Sequence, residues 1–239
     1  MSIVLILGSG PSVMAAADWP RAPFDRIVAI NNAWAVRPDW DDLIHPSDFP
    51  PERMPDQVKT SQRIVTDDDY VPVQNRFGGF VYAGGTMAFT AGYWALGALQ
   101  PRVMAFLGCD MVYPATGPTH FYGTGTADPL RRDVTLRSLP AKSARLQIIA
   151  ARMSCACVNL SSDPSALLFP RARPDGLRKR RFSLDLDRAR YAALREKEDA
   201  LGYHTPTGRY WEDVEKVDPN AVAALDQGWR DLFGQHAGT

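Results

Sequence analysis

Three cysteines in 239 residues, an odd number, leave no material for a disulfide framework. Net charge is missing too: 27 basic side chains stand against 27 acidic ones, so the whole chain has no long-range pull toward nucleic acid or anionic lipid. No apolar run approaches the roughly 20 residues of a membrane helix, and the N-terminal stretch lacks a basic leader. These absences point to a cytoplasmic protein, with peripheral contact at a membrane left open. Cys155-Ala156-Cys157 lies in a strand-like run and reads as two thiols on opposite faces, a poor metal pair. What is present is ordinary for a globular chain: 45% hydrophobic and 23% charged residues, in a length suited to one large domain or a domain with a small addition.

Short apolar runs alternate with helical stretches. Ile3 to Leu7, Arg26 to Ile30, Arg63 to Thr66, Val103 to Leu107 and Ala156 to Leu160 read as strands. Runs buried on both faces and separated by helices predict an α/β fold, a doubly wound and mainly parallel Rossmann-like sheet. One helix is expected from Thr86 to about Leu99, and another from Leu136 to Met153, its start delayed by Pro140. The sequence divides into a nucleotide-binding domain at 1–168, a basic linker at 169–182 and a helical C-terminal appendage at 183–239. In the appendage Ser183 is expected to cap a charged helix ending near Gly202. Asp218-Pro219 opens another, with Val222, Leu225, Trp229 and Leu232 on one stripe.

Open α/β sheets bind ligands beyond the carboxyl ends of their strands. Polar or glycine residues gather there after nearly every apolar run: Gly8-Ser9-Gly10-Pro11-Ser12, Asn31-Asn32, His45-Pro46-Ser47-Asp48, Gly84-Gly85-Thr86 and Gly108-Cys109-Asp110. Glycine admits positive φ and close approach, and a small-residue turn opening a helix seats a phosphate. The same residues also make a tight strand-to-helix turn. Asn31 offers a donor and an acceptor to a base edge or ribose, Ser47 a hydroxyl, and Asp110 an acceptor for a sugar hydroxyl. As plain structure, Asn31 is a turn residue and Asp110 a cap.

Taken in order, "GSGPSV", "AINNAW", "IHPSDF", "AGGTMAF" and "LGCDMVY" resemble the CMP-sugar site of the bacterial sialyltransferases of glycosyltransferase family 42, over about the first 165 residues. The opening loop and the Gly-Asp turn also resemble a wider superfamily, which includes the archaeal 6-hydroxymethylpterin diphosphokinases. The first resemblance implies a glycosyltransferase working on a nucleotide-linked donor, with no cofactor and no metal. The second implies a transferase that needs Mg²⁺ and ATP. Two departures stand out: His45 and Ser9 replace family asparagines, and "DPLRRDVTLRSL" lacks the histidine that the family places before its last core strand.

The general base must then come from elsewhere. The loop from Met111 to Thr135 carries His120, Tyr113 and Tyr122, and reads as a lid over the site. Histidine suits removal of a proton from an acceptor hydroxyl near neutral pH, although a loop histidine also serves packing alone. Arg131 and Arg132 are candidates to neutralise a leaving phosphate, or form a solvated face. "TDDDY" at 66–70 superficially resembles a metal-binding DxD signature, but acidic turns are common and no metal is expected there. Three functions compete: a glycosyltransferase-like enzyme, a Mg²⁺-dependent diphosphokinase, and a nucleotide-binding module without catalysis. The expected partner is a nucleotide or nucleotide-sugar. The acceptor (glycan, lipid or nucleic acid) would meet the basic 171–181 segment, and homo-oligomerisation is left open.

Overall fold

The structure, a computed structural model, describes residues 2–113, 116–123, 133–179 and 187–234. Six strands form one sheet: β1 (Ile3–Leu7), β2 (Arg26–Ile30), β3 (Asp42–Ile44), β4 (Arg63–Val65), β5 (Val103–Leu107) and β6 (Ala156–Asn159). All pairs are parallel, in the order β4-β3-β2-β1-β5-β6. The five expected strands are found within a residue of their expected ends, in a Rossmann-like α/β fold. β3 is the strand the sequence reading lacks. It is three residues long and opens on Asp42, a fully buried carboxylate that reads as a loop residue. Arg26 explains its burial: its guanidinium donates to both Asp42 oxygens, at 2.5 and 2.8 Å, the bidentate geometry that compensates lost water.

Side chains alternate across a strand, so each strand feeds two cores. Val4, Ile6, Val28, Met104 and Phe106 face one side. There they meet the helices α1 (Asp67–Arg76), α3 (Met87–Trp94) and α4 (Leu139–Arg152); a short α2 (Phe80–Ala83) precedes α3. Ile3, Leu5, Leu7, Ile27 and Val103 face the other side, packed against Val13 and Ala16 of a 3₁₀ segment, Pro11–Asp18. Cys155 and Cys157 lie in the same core, not on opposite faces: residues two apart in a strand share a face. Burial pushes both thiols up, Cys155 to about 12, so neither is a ready thiolate.

The expected helices are present. Thr86 caps α3 by accepting from the Phe89 amide, and a wider π turn carries the helix on through Ala95–Leu99. The three aspartates of "TDDDY" open α1, where Thr66 and Asp69 form a reciprocal capping box and Arg63 donates to Asp69. Carboxylates at a helix N-terminus are favoured by its exposed amides, which accounts for this cluster without a ligand.

The last third of the chain is packed into the domain. Phe169 and Leu177 are buried. The Asn159 amide donates to Pro170 O and the Ala172 amide to Asn159 O, so residues 170–172 run beside the end of β6 instead of crossing solvent as a linker. Ser183 lies outside the described residues; the residue capping α5 (Arg188–Leu201) is Asp187, which accepts from the Ala189 and Arg190 amides. α6 (Pro219–Gly234) buries Val222, Leu225, Trp229 and Leu232 as its stripe requires.

Charge ties these helices to α4. Arg145, fully buried, donates to both Glu198 oxygens at 2.7 Å and to Tyr93 Oη at 2.7 Å, and Trp229 Nε1 donates to Glu198 at 2.9 Å. Burial alone would raise the Glu198 carboxyl, but the charges and hydrogen bonds of Arg145 and Arg195 hold it below the usual range. Lys142 meets Asp226 at 2.8 Å, yet burial outweighs that pairing, pushing the ammonium down and the carboxyl up. Among the described residues no helix is long and apolar enough to cross a membrane.

Candidate functional site

β1 and β5 are neighbours, while β2 to β4 continue from β1 in one direction and β6 lies in the other. Connections from the two central strands therefore leave on opposite sides and open a crevice at their carboxyl ends. A cavity of about 470 Å³ lies there. Ten expected residues line it: Gly8, Ser9, Gly10, Pro11, Ser12, Asn31, Asp110, Tyr113, His120 and Tyr122. The chain brings them from four separate stretches to one place.

The glycines of the opening loop serve a purpose different from the expected one. A Cβ on Gly8 would lie 2.3 Å from Gly108 O, and one on Gly10 would lie 2.9 Å from it. The Gly8 and Gly10 amides donate to Leu107 O and Gly108 O, both at 2.8 Å. The loops after β1 and β5 are thus in backbone contact, and the missing side chains admit a neighbouring strand end. The phosphate seat is correspondingly thinner: the Gly10 amide is engaged and Pro11 has none, so Ser9 and Ser12 are the amides this loop can offer.

Two residues of the lining each carry a buried side-chain oxygen without a hydrogen-bond partner, Ser9 Oγ and Asn31 Oδ1. Burying an unpaired hydroxyl or amide costs about 1–3 kcal/mol. Asn31 also holds φ at +52°, in the left-handed region where asparagine is one of few tolerated side chains. Backbone strain and an unmet acceptor thus coincide at one residue of the lining.

Asp110 joins three segments. Its Oδ2 accepts from Ser12 Oγ at 3.2 Å, and its Oδ1 from Asn159 Nδ2 at 2.9 Å. Arg171 approaches that second oxygen at 3.8 Å. Asn159, buried at the end of β6, also donates to Ser165 Oγ and accepts from the Ser161 amide. The loop it holds brings Asp163 and Pro164 to the cavity wall. Asn159 and Asp163 are absent from the site residues of the sequence reading, and Arg171 enters it only as the start of the basic 171–181 segment. The signal that could have found Asn159 is a polar residue closing a buried strand, the same one that picked out Asn31 and Asp110.

The lid region is described at its two ends. Residues 120–123 form a turn closed by paired His120 and Gly123 backbone bonds, and the Phe121 amide donates to Ser9 O at 3.0 Å. Phe121 packs against the core, so this turn is anchored to the opening loop. His120 lies parallel to Tyr122, ring centres 5.0 Å apart, with Tyr113 at 6.2 Å and the Thr119 hydroxyl 2.9 Å from its Nδ1. Arg131 and Arg132 lie outside the described residues.

Other expected residues are elsewhere. Asn32, His45, Ser47, Gly84, Gly85 and Thr86 do not line the cavity. Ser47 is exposed, and His45 holds Pro46 O at 2.9 Å and packs on Phe49. Gly85 is covered by Thr135 Oγ1 and Tyr210 Oη, which would lie 2.4 and 3.0 Å from a Cβ there. Those two hydroxyls bond the Asp133 carboxylate. Met87 and Ala88, opening α3, reach the cavity in place of the glycines. Among the described residues no group of three or more histidines, cysteines or carboxylates is placed to hold a metal ion. No protein-family model matches the chain, and neither a curated protein nor a solved structure matches it.

Proposed function

We propose that the chain binds a nucleotide-activated donor in the cavity beyond β1, β2 and β5 and transfers the activated group to a hydroxyl acceptor, as a glycosyltransferase does. The observation that carries this reading is a cavity at the reversal of strand order whose lining gathers Ser9, Ser12, Asn31 and His120. Asn31, at the β2 end, suits a base edge or ribose, and the Ser9 and Ser12 amides with the first turn of α3 suit the donor phosphate. His120 takes the acceptor's proton while the acceptor oxygen bonds to the anomeric carbon. The bond from that carbon to the phosphate oxygen breaks, and the electron pair leaves with the phosphate. The Thr119 contact at Nδ1 orients the ring for this task.

One observation favours a second reading: two carboxylates, Asp110 and Asp163, face the same cavity. A Mg²⁺-dependent diphosphokinase would use such carboxylates to hold the ion on a diphosphate. Asp110 fits poorly, since Ser12 and Asn159 already occupy its oxygens.

The test is turnover of a panel of nucleotide-sugars and of ATP, with and without EDTA. Release of a nucleoside mono- or diphosphate that is insensitive to EDTA supports the transferase. AMP formation abolished by EDTA supports the diphosphokinase. Saturable nucleotide binding with no turnover leaves a binding module, and absence of all binding overturns the proposal.

A further inference from the structure

Among the described residues, the cavity lining contains two carboxylates and no lysine or arginine. A phosphate approaching those two carboxylates is repelled unless their charge is offset. Arg171 stands directly behind the lining. Its segment is fixed to the end of β6 by the Pro170 and Ala172 backbone bonds to Asn159. From there the guanidinium donates to the carbonyls of Ser161 and Asp163 and comes within 3.8 Å of Asp110. One side chain thus holds the loop that carries one carboxylate and offsets the charge of the other. Arg171 is 43% exposed along its side chain, so solvent screens part of its charge.

Resting on the donor-site reading above, we infer that Arg171 is the positioning residue that lets a cavity lined by Asp110 and Asp163 take a phosphate-bearing ligand, acting through Asp110 and the 161–164 loop. The chemistry it selects is a phosphomonoester or phosphodiester group beside a base, and the same nucleoside without phosphate gains nothing from it. Arginine suits the place because its planar fork can serve two carbonyls and face a carboxylate at once, whereas lysine supplies charge from a single point.

The experiment compares cytidine, uridine, adenosine and guanosine with their 5′-monophosphates by calorimetry, in wild type, Arg171→Gln and Arg171→Lys, each checked by thermal melting. For the base that binds, the ratio of monophosphate to nucleoside affinity should fall about threefold in Arg171→Gln and recover in part in Arg171→Lys, since a partly exposed charge acting through Asp110 is worth less than a direct contact. The ratio in wild type should also fall as salt rises. A loosened loop would weaken nucleoside and monophosphate alike and leave the ratio unchanged. An unchanged ratio in Arg171→Gln therefore overturns the inference while the donor site stands. Failure of every nucleoside and monophosphate to bind wild type overturns the donor-site reading itself.

Discussion

Gly8→Ala places a methyl carbon 2.3 Å from Gly108 O, and Gly10→Ala places one at 2.9 Å. Both oblige the β1 and β5 loops to part, so the first effect is on stability, before any ligand is added. Overpacking of this kind costs about 1–3 kcal/mol, and each kcal/mol lowers Tm by about 2–4 °C in a chain of this size. The expected result is a lower Tm in both, with Gly8→Ala the worse; melts equal to wild type would refute the interlock. Asn31→Gly should separate strain from binding, because glycine accepts φ of +52° freely and the acceptor atom is lost. Its Tm should hold while nucleotide affinity drops about tenfold, the worth of a hydrogen bond to a buried acceptor. For His120→Ala, turnover should fall ~10²-fold or more with donor affinity retained. Equal losses of both in single-turnover and binding assays would make His120 a packing residue.

Among the elements, α4 carries the most consequential side chains outside the site. Glu198→Ala leaves Arg145 buried without its partner, a change that typically costs about 3–5 kcal/mol. The Glu198 carboxyl sits below its ordinary range in the fold, so its contribution is complete above that range and is lost as pH falls through the lower, folded value. Denaturant melts of wild type should therefore weaken on acidification more steeply than those of Glu198→Gln. Lys142 and Asp226 behave oppositely, since burial disfavours the charge on each. Asp226→Ala alone should be harmful, and Lys142→Met with Asp226→Leu together neutral or stabilising. A double variant as weak as the single one would show the pair to be favourable after all. The strands and amphipathic helices were legible because burial imposes a period on the sequence, as in Ile3–Leu7 and the Val222 to Leu232 stripe. β3 was hidden because its buried end is charged, and Arg145 and Glu198 because pairing let charges into a core. Half of the site was legible for a related reason: strand-end residues such as Asn31 and Asp110 are fixed by topology. Gly84 to Thr86 were misplaced because Thr135 and Tyr210, distant in sequence, cover that turn.

For the molecule as a whole, the third core cluster joins α2 and α4 to α5 and α6 through Tyr82, Ile148, Leu194 and Trp229. Among the described residues the ion-pair partners of Arg145 and Lys142 are Glu198 and Asp226 of the C-terminal helices, so the first 168 residues alone leave both charges without a counter-charge. Scanning calorimetry should show one cooperative transition for the full chain, with matching calorimetric and van't Hoff enthalpies. Two separated transitions would instead make the C-terminal helices an independent unit. The interlocked glycine loops have a consequence for how this fold can be re-engineered. Part of the cavity lining is main chain meeting main chain, at Gly8, Gly10 and Gly108, whereas Tyr113, Tyr122 and Asp163 line it with side chains. A combinatorial library randomised at those three side-chain positions should yield many folded members with altered ligand preferences. One randomised at Gly8, Gly10 and Gly108 should return almost nothing but glycine, because those positions specify the architecture.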